Sequence, residues 1–410
     1  MRLALLTSTF LPKLGGAQVF THNIAAHLAT RGHSVDVYVP RSTPGAENAY
    51  GYTVRFLPPR FYGLATRLPL FGRCAAAAYL RGLQRFRNYD AWLVVMSYPS
   101  GYVATGLRGR VPILLRCSGE DIQKSADLGY GTRLDGRLEN QIVATLGAYD
   151  RLVALTPSVR AEFLDLGVSP ERIRIVPNGV NLERFGRGED TARLREELGW
   201  PPRTTVLLTT GRYHRKKGFE LIPDIARTLV EQGLDFRWYL VGRGARRIRP
   251  ALEAARVAER VTCLEEVGMS SAAGGDDVPP RKLVHMYRAA DIFAFPSLLE
   301  TFGMVQIEAM AAGIPVVTTD APGCRDVVQD GVNGLQAPAG DAEAFARQLI
   351  RLFRDPVLRE ELGAAGAESA KRYEWDRVAE EYERIFVDLS AEPRGDRAHH
   401  ESVASPAPER

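Results

Sequence analysis

Short apolar runs, many of them β-branched, alternate with stretches of helical period along most of the chain. In the first half these runs predict seven strands, at residues 2–8, 34–40, 52–58, 91–97, 112–117, 151–156 and 172–177. Helical patterns lie between most of them, for example over 17–31 and 134–148. Strands that alternate with helices are typical of βαβ units, whose parallel sheet is covered on both faces.

The pattern is interrupted by a polar stretch at 182–203 and then restarts. The second half predicts five more strands, at 204–210, 236–241, 260–265, 291–295 and 315–319. The sequence therefore predicts an α/β protein with two doubly wound domains, 1–182 and 204–372, joined by a linker at 183–203, and 410 residues are ample for two cores. Because ligands bind at the carboxyl ends of the strands in such sheets, two facing domains would form one cleft.

The C-terminal part has a different pattern. Residues 373–390 contain the amphipathic sequence EWDRVAEEYERIFVDL, which predicts one packed helix. The tail from about 391 is polar and contains three prolines. We expect residues 391–410 to be disordered.

Composition narrows the setting of the protein. The formal net charge of +4 does not favour nucleic acid as a partner. The cysteines have neither a CxxC pair nor metal-ligand spacing, so a reducing, cytoplasmic setting is expected. The first residues, MRLALLTSTFL, resemble a weak signal peptide, but polar residues interrupt them and favour a strand. No apolar run reaches the ~18 residues that a membrane-spanning helix needs.

The glycine-rich segments do not match the common nucleotide-binding fingerprints. In VGRGARR, Gly242 and Gly244 are present, but Arg247 stands where GxGxxG needs its third glycine. The chain also has no Walker lysine loop and no DxD triplet that would hold a metal–diphosphate. A nicotinamide or flavin enzyme is therefore disfavoured, and no cofactor or metal is expected.

Two predicted strand ends could bind an anion. Gly15 and Gly16 follow the first strand and precede a helix, where backbone N–H groups can approach a phosphate; a plain tight turn is the alternative. The sequence GRYHRKKGFELI follows strand 204–210 and places a run of cations at its exit. These cations could hold phosphate, and a solvated basic loop is the alternative.

The segment LETFGMVQIEAMAAG is mostly apolar yet carries Glu300 and Glu308. We expect a helix from about Thr301 that packs on the sheet, with Glu300 just outside its N-terminus and Glu308 two turns along it. A buried glutamate must be paired or accept hydrogen bonds, because burying it alone is costly. A nucleoside diphosphate sugar has the matching layout of hexose, diphosphate and ribose.

The ordered set of motifs resembles the retaining GT-B glycosyltransferases of family 4. The motifs are PKLGGAQ, RGHSVDVY, VALTPSVRAEFLDLGVSPERIRIVPNGVNLERF, GRYHRKKGFELI, YLVGRGARR, ETFGMVQIE with AMAAGIPVV, and NGLQAPAGDAEAFARQL. The resemblance spans residues 1–388. It implies two Rossmann-like domains that face a central cleft, a metal-independent reaction, and a helix after 373 that crosses back to the N-terminal domain.

The resemblance also implies roles for individual residues. Arg212 and Lys217 bind the donor diphosphate, Glu300 contacts the hydroxyls of the donor sugar, and Glu308 binds the ribose. Gly16 lies against the diphosphate from the other domain. Further substrate contacts are implied for Gly15, Ser118, Asn178, Gly211, Thr301, Phe302, Gly303, Met304 and Val305.

Two positions depart from the family pattern. Many relatives carry a histidine before the glycine that follows the strand near 112–117, where this chain has Ser118 in RCSGEDI. Asp121 is retained and is taken as a catalytic candidate, and either Asp121 or Glu120 could replace the missing sugar contacts. The usual aspartate after NGV is Asn181, to which we assign no role.

The acceptor side is less defined. Residues 48–89 contain seven arginines and no acidic residue, with aromatic residues among them. Segment 55–87 could rest on an anionic membrane and present a lipid-linked or phosphorylated acceptor; an ordinary core helix at 74–86 is the alternative.

Besides a transferase, a nucleotide-sugar epimerase or hydrolase and a non-catalytic nucleotide-sugar binding protein remain open. The nucleotide base, the sugar and the acceptor are not identified.

Overall fold

The computed structural model describes residues 1–12, 14–40, 51–68, 71–186, 190–265, 267 and 278–392. The chain divides into two compact units. The first unit contains Met1–Asn178 and the C-terminal segment from Trp375, and the second contains the described residues between Gly179 and Glu374. Most of the tail predicted to be disordered, residues 393–410, lies outside the described residues.

The first unit is built on a seven-stranded parallel sheet. Its strands are β1 (Arg2–Thr7), β2 (Ser34–Val39), β3 (Thr53–Phe56), β4 (Ala91–Val95), β5 (Ile113–Arg116), β6 (Arg151–Ala154) and β7 (Ile173–Ile175). Their order is β3-β2-β1-β4-β5-β6-β7. All seven predicted strands are present, and their apolar sequences reflect burial: every residue of β4 is buried.

In the described part of the first unit, six α-helices connect these strands. They are α1 (Gly16–Thr30), α2 (Phe61–Arg67), α3 (Phe71–Arg87), α4 (Tyr102–Ala104), α5 (Gly136–Leu146) and α6 (Pro157–Asp165). On one side of the sheet an aromatic cluster fills the core, where Trp92 stacks on Tyr38 with ring centroids 5.5 Å apart. The fold is the doubly wound α/β architecture predicted from the sequence.

The second unit has a six-stranded parallel sheet of order β10-β9-β8-β11-β12-β13. Its strands are β8 (Thr205–Thr210), β9 (Phe236–Val241), β10 (Val261–Leu264), β11 (Ile292–Ala294), β12 (Val316–Thr319) and β13 (Leu335–Ala337). Five of them were predicted. β13 was missed because its sequence, LQA, has no β-branched residue and carries a polar glutamine, and its pairing with β12 defines it.

Among the described residues, eight α-helices belong to the second unit. They are α7 (Leu182–Phe185), α8 (Thr191–Leu198), α9 (Ile222–Glu231), α10 (Arg249–Ala254), α11 (Arg281–Ala289), α12 (Met304–Ala311), α13 (Ala342–Arg354) and α14 (Pro356–Ala370). The expected linker at 183–203 therefore holds α8 and most of α7. Arg195 ties α8 to the unit, since its guanidinium donates to the Ala289 carbonyl at 3.0 Å and to Asp291 at 2.6 Å. The polar character of this stretch reflects helix caps such as Asp190.

The last helix, α15 (Trp375–Ala391), packs against α1 in the first unit. Phe20 of α1 lies 5.5 Å from Tyr382 between ring centroids, and Asp376 accepts a hydrogen bond from His27 at 2.7 Å. The apolar side predicted for this helix forms the contact. Within the described ranges, no helix combines the length and apolar character needed to cross a bilayer.

Candidate active site

The candidate site lies at the carboxyl ends of β8 and β11, which are neighbours in the second sheet. From β8 the chain continues to β9 on one side, whereas from β11 it continues to β12 on the other side. Such a switch point leaves a crevice outside the strand ends, which is where ligands bind in open α/β sheets. The cation-rich segment follows β8, and the segment with Glu300 follows β11.

The two segments are locked together through their backbones. The Lys216 carbonyl accepts hydrogen bonds from the Leu298 amide at 2.7 Å and from the Ser297 hydroxyl at 2.8 Å. Gly218 has φ of +63°, and a Cβ there would lie 1.8 Å from the Pro296 carbonyl oxygen. Only glycine allows this approach, so GRYHRKKG can fold tightly against the end of β11.

Glu300 forms a buried ion pair with Lys217. One oxygen of the Glu300 carboxylate accepts from the Lys217 ammonium and from the Ser297 hydroxyl, the latter at 3.0 Å. The other oxygen lies 4.0 Å from Nζ of Lys216. Burial acts to raise the pKa of Glu300, but the two lysines and Ser297 hold it below its ordinary value. Glu300 is therefore a stable carboxylate at neutral pH.

The lysine of this pair is also in an unusual environment. Burial, only partly opposed by Glu300, lowers the pKa of Lys217. Its Nζ lies 5.0 Å from the centroid of the Phe295 ring. The sequence prediction assigned Lys217 to phosphate and Glu300 to sugar as separate residues, and it did not foresee that the two side chains would be in direct contact.

The backbone of Glu300 is fixed by the turn that follows β12. The Glu300 amide donates to the Pro322 carbonyl at 2.9 Å. Gly323, with φ of +77°, lies so close that a Cβ there would be 2.2 Å from the Glu300 carbonyl oxygen. The carboxylate is thus positioned by three strand ends, those of β8, β11 and β12.

The helix after Glu300 begins later than predicted. α12 starts at Met304, with Gly303 as its N-cap residue, whereas the apolar pattern suggested a start near Thr301. Thr301 and Phe302 are buried in the preceding loop, where Phe302 packs on Tyr373 with ring centroids 5.5 Å apart. Met304 and Val305 are half-buried. The Phe302 side chain thus has a packing role.

Glu308 lies in the second turn of α12 and is buried among different partners. Its carboxylate accepts a hydrogen bond from the Tyr287 hydroxyl at 2.8 Å, and that hydroxyl lies 2.5 Å from the Thr210 hydroxyl. Burial raises the pKa of Glu308 to about 7. The two glutamates therefore differ in charge state near neutral pH. Tyr287 was missed by sequence reasoning, because it follows the ordinary period of α11.

The predicted cation cluster is not uniform. Lys216 is buried and the Lys217 side chain is 14% exposed, whereas Arg212 and Arg215 are exposed. His214 caps the short turn at Arg215–Lys217 by accepting from the Lys216 amide at 3.2 Å. Burial, together with the neighbouring Arg212 and Lys216, lowers the pKa of His214. Gly211 joins the cluster to the sheet through a bond from its amide to the Val241 carbonyl at 2.9 Å.

In the first unit, Asp121, the predicted catalytic candidate, is surrounded by backbone amides. One carboxylate oxygen accepts from the Ser97 amide at 2.7 Å. The other accepts from the amides of Ser118 and Gly119 at 2.8 and 2.9 Å. Asp121 is fully buried, so its carboxylate holds the loops after β4 and β5 together.

Ser118 and Asn178 are joined by an arginine that sequence reasoning passed over. Arg116, buried at the end of β5, donates to the Ser118 hydroxyl and to the Asn178 side-chain oxygen, each at 2.6 Å. Its guanidinium lies 3.9 Å from the centroid of the Phe20 ring. The available signal was a single cation in the apolar strand sequence ILLR.

The glycine pair at the start of α1 does not need to be glycine for conformational reasons. Gly15 is the N-cap residue with φ of 175°, an extended conformation that any residue adopts. A Cβ on Gly15 would meet only the end of the flexible Gln18 side chain, at 2.7 Å. Gly16 begins the helix and is exposed. Lys13 of the same motif lies outside the described residues.

A cavity of about 660 Å³ lies in the first unit at the carboxyl ends of β1 to β4. It was not predicted. β1 and β4 flank the switch point of this sheet. The lining residues are Ser8, Pro40, Pro58, Pro59, Arg60, Phe61, Tyr62, Gly63 and Pro99. Its wall is mostly apolar, as in small-molecule sites, and Arg60 is the one charged residue among the described residues that line it.

Within the part of the chain that the structure describes, no group of three or more His, Cys, Asp or Glu side chains is arranged to hold a metal ion. The charged partners of Glu300 are lysines, and Glu308 is hydrogen-bonded to a tyrosine. The groups at the second switch point could instead meet an anion and hydroxyl groups.

Sequence and structure comparisons agree with this geometry. Residues 14–184 match the family described as Glycosyltransferase Family 4, and residues 204–355 match Glycosyl transferases group 1. A D-inositol 3-phosphate glycosyltransferase of Acidothermus cellulolyticus is 33% identical, over 93% of this chain and 87% of the relative. One of Saccharomonospora viridis is 31% identical, over 93% of this chain and 91% of the relative.

A solved structure with the same fold is the sucrose-phosphate synthase of Thermosynechococcus elongatus, with a TM-score of 0.78, 22% identity, and coverage of 95% of this chain and 99% of that one. Anabaena HepE in complex with UDP-glucose has a TM-score of 0.75, 18% identity and coverage of 95% and 100%. These similarities extend over both units. The chain therefore belongs to glycosyltransferase family 4 and is a glycosyltransferase with the GT-B fold.

Proposed function

We propose that the protein transfers a sugar, with retention of configuration and without a metal ion, from a UDP- or GDP-sugar to a hydroxyl group of a glycan, glycolipid or small-molecule acceptor. The observation that carries the proposal is the pair of buried carboxylates at the second switch point. Glu300 is ionised and paired with Lys217, whereas Glu308 has a pKa of about 7. A donor with a hexose at one end and a ribose at the other suits this arrangement.

In this proposal the cations bind the diphosphate. Breaking the bond between the anomeric carbon and the diphosphate oxygen leaves negative charge on the leaving group. Lys217 is largely shielded from water and so interacts more strongly with that charge than a solvated cation would. Arg212, exposed at the exit of β8, would contribute a second cation.

The acceptor hydroxyl attacks the anomeric carbon from the face that the diphosphate leaves. Its oxygen forms the new bond to carbon, and its proton passes to the departing phosphate oxygen. Glu300 would hold the sugar hydroxyls during this step, because a buried carboxylate fixed by Ser297 and two lysines cannot turn away. Glu308 would accept hydrogen bonds from the ribose hydroxyls.

On the acceptor side, relatives named D-inositol 3-phosphate glycosyltransferases support a phosphorylated polyol as the first substrate to test. Ser118 remains a candidate for contact with acceptor or donor sugar, since its hydroxyl oxygen is held by Arg116 and the residue is only half-buried. A lipid-linked acceptor would place the reaction at a membrane surface. The proposal therefore includes contact between the arginine-rich segment 55–87 and that surface.

The first experiment is a thermal-shift screen of UDP- and GDP-sugars, since a ligand that binds only the folded protein raises its melting temperature. A stabilising donor is then incubated with and without inositol phosphates and other polyols, and products are analysed by NMR. Transfer with the anomeric configuration of the donor supports the proposal. Release of free sugar or epimerised nucleotide sugar regardless of acceptor, or binding of no nucleotide sugar, would contradict it.

A further inference from the structure

Exposed apolar side chains cluster where α2 meets α3 in the first unit. Leu64 is 48% exposed, Leu68 53% and Phe71 83%. Together with Arg60 and Arg67 they form what we call the α2–α3 face. Large apolar residues scattered singly on a surface are ordinary, but a contiguous apolar group bordered by cations marks an interaction site.

Their spacing and the backbone keep these residues together. Arg60, Leu64 and Leu68 follow one another at four residues along α2 and its two caps, the spacing of one side of a helix, and Phe71 begins α3. α3 approaches α2 closely at Gly72, where a Cβ would lie 2.0 Å from the Leu64 carbonyl oxygen. The Gly72 amide also donates to the Leu68 carbonyl at 2.7 Å. Phe71 is therefore held next to the exposed end of α2.

Fewer arginines of this region are available to a ligand than the sequence suggested. Of the seven arginines in 48–89, Arg55, Arg73 and Arg81 form hydrogen bonds or ion pairs with other described elements. Arg55 pairs with Asp36 at 2.7 Å, Arg73 donates to Thr105 at 3.0 Å, and Arg81 donates to the Gly106 carbonyl at 2.8 Å.

The two arginines of the α2–α3 face differ from these three paired arginines. Arg60 and Arg67 are exposed and have no ion-pair partner among the described residues. Since no acidic residue occurs between 48 and 89, the face presents charge of one sign beside its apolar side chains.

We infer that the α2–α3 face docks on an anionic lipid bilayer. Leucine and phenylalanine side chains enter the boundary between headgroups and acyl chains, while arginines stay at the level of the phosphates. An anionic bilayer is complementary to both features over its whole surface. A protein partner would instead have to offer an apolar surface and acidic groups at matching fixed positions.

The α2–α3 face lies beside the cavity of the first unit, which relates membrane contact to acceptor binding. Arg60 and the first turn of α2 also line the cavity at the switch point of the first sheet. A lipid-anchored acceptor could leave its chain in the bilayer and place its polar headgroup beside that cavity. This last step rests on the proposed transferase function, whereas docking itself does not.

The test uses the full-length protein and vesicles made of equal parts phosphatidylglycerol and phosphatidylcholine, with vesicles of phosphatidylcholine alone for comparison. We expect sedimentation with the mixed vesicles, weakened by added salt. The variant Leu64→Ser/Leu68→Ser/Phe71→Ser should lose binding. The variant Arg60→Ser/Arg67→Ser should bind roughly twenty-five-fold more weakly, since each arginine near an anionic surface contributes about five-fold.

A matched control is available in the second unit. Val230, Val332 and Val357 are 40%, 58% and 65% exposed, and their triple replacement by serine should leave vesicle binding unchanged. Melting curves of all variants check that they are folded. Absence of wild-type binding, equal binding to both vesicle types, or an equal loss in the control would overturn the inference. If donor turnover is absent while docking persists, only the proposed function fails.

Discussion

The two sheets share the same strand order around their switch points, yet the polar residues at their strand ends behave differently. In the second unit, Lys217 and Glu300 meet in a buried pair with Lys216 nearby. In the first unit, the Asp121 carboxylate accepts hydrogen bonds from three backbone amides, and Arg116 donates to Ser118 and Asn178. A charged residue at a strand end is therefore a candidate for chemistry only if the fold leaves it able to meet a ligand.

The largest expected effect lies in the second unit. Arg212→Ala should lower turnover by roughly ten- to a hundred-fold, the effect of losing a charged hydrogen bond, and Lys217→Ala by about a hundred- to a thousand-fold. Because Arg212 is exposed, its loss should leave the melting temperature nearly unchanged. Lys217→Ala also leaves Glu300 without its closest partner, so some loss of stability is expected.

Steady-state rates and melting curves check this prediction, with Arg203→Ala as a matched control. Arg203 is also exposed in the second unit, but it precedes β8 instead of following it. Near-normal turnover in both site variants would refute the assignment of these cations to the diphosphate.

The next largest effect is expected in the first unit, and it concerns stability instead of turnover. Asp121→Ala removes the acceptor for three backbone amides, which should reduce the free energy of unfolding by roughly 2–4 kcal/mol. Turnover per folded molecule should change only a few-fold, because the buried Asp121 carboxylate is occupied by backbone amides. Urea unfolding and activity normalised to folded protein are the measurements. A stable but inactive variant would instead restore the catalytic role.

A smaller effect concerns pH. Burial raises the pKa of Glu308 to about 7, well above its ordinary value, so the folded ligand-free protein binds a proton more tightly than the unfolded chain does. The stability contributed by this proton is fully present below the ordinary pKa of 4.5, declines as the pH rises from there to about 7, and is absent at higher pH. Urea unfolding at several pH values should show this decline, and Glu308→Gln should reduce it.

Affinity for the donor should change with pH in the opposite direction to stability. Ribose hydroxyls donate to an ionised carboxylate, so affinity for the intact nucleotide sugar should rise with pH and level off above about 7. Below that value it should fall about ten-fold for each pH unit. The titrations use the nucleotide sugar instead of the nucleoside diphosphate, because the diphosphate of the sugar has no terminal phosphate group that titrates near pH 7. Titrations that show the same slope in Glu308→Gln would assign the effect to another group.

The smallest expected effect is that of chelation. The positive charge at the proposed diphosphate site comes from side chains such as Arg212 and Lys217, so EDTA should leave turnover unchanged within error. The control adds excess magnesium or manganese to the chelated enzyme. Inactivation by EDTA that either metal reverses would contradict the metal-independent reaction.

The fold could be predicted because its signals are periodic. Every predicted strand is present, because parallel strands covered on both faces are almost continuously apolar. β13 has no β-branched residue, and α7 and α8 have polar sequences. Tertiary contacts determine where these elements form: β13 pairs with β12, and Arg195 binds α8 to the second unit. No local pattern encodes such contacts.

The site could be predicted in part for a related reason. Positions at strand ends pointed to Lys217 and Glu300, but their direct contact depends on Gly218 and Gly323, which allow three loops to approach. Asp121 shows the converse case. Its position in the sequence suits chemistry, whereas its three backbone partners became visible only in the folded chain.

The central claim is that the two glutamates divide the donor between them, Glu300 at the hexose and Glu308 at the ribose. Calorimetric titration of the wild type, Glu300→Gln and Glu308→Gln with the nucleoside diphosphate alone tests it most directly. We expect Glu308→Gln to weaken binding by roughly ten-fold or more, the effect of one charged hydrogen bond. Glu300→Gln should bind the diphosphate as well as or better than the wild type, because Lys217 loses its internal partner. Equal losses of affinity in both variants would contradict the claim.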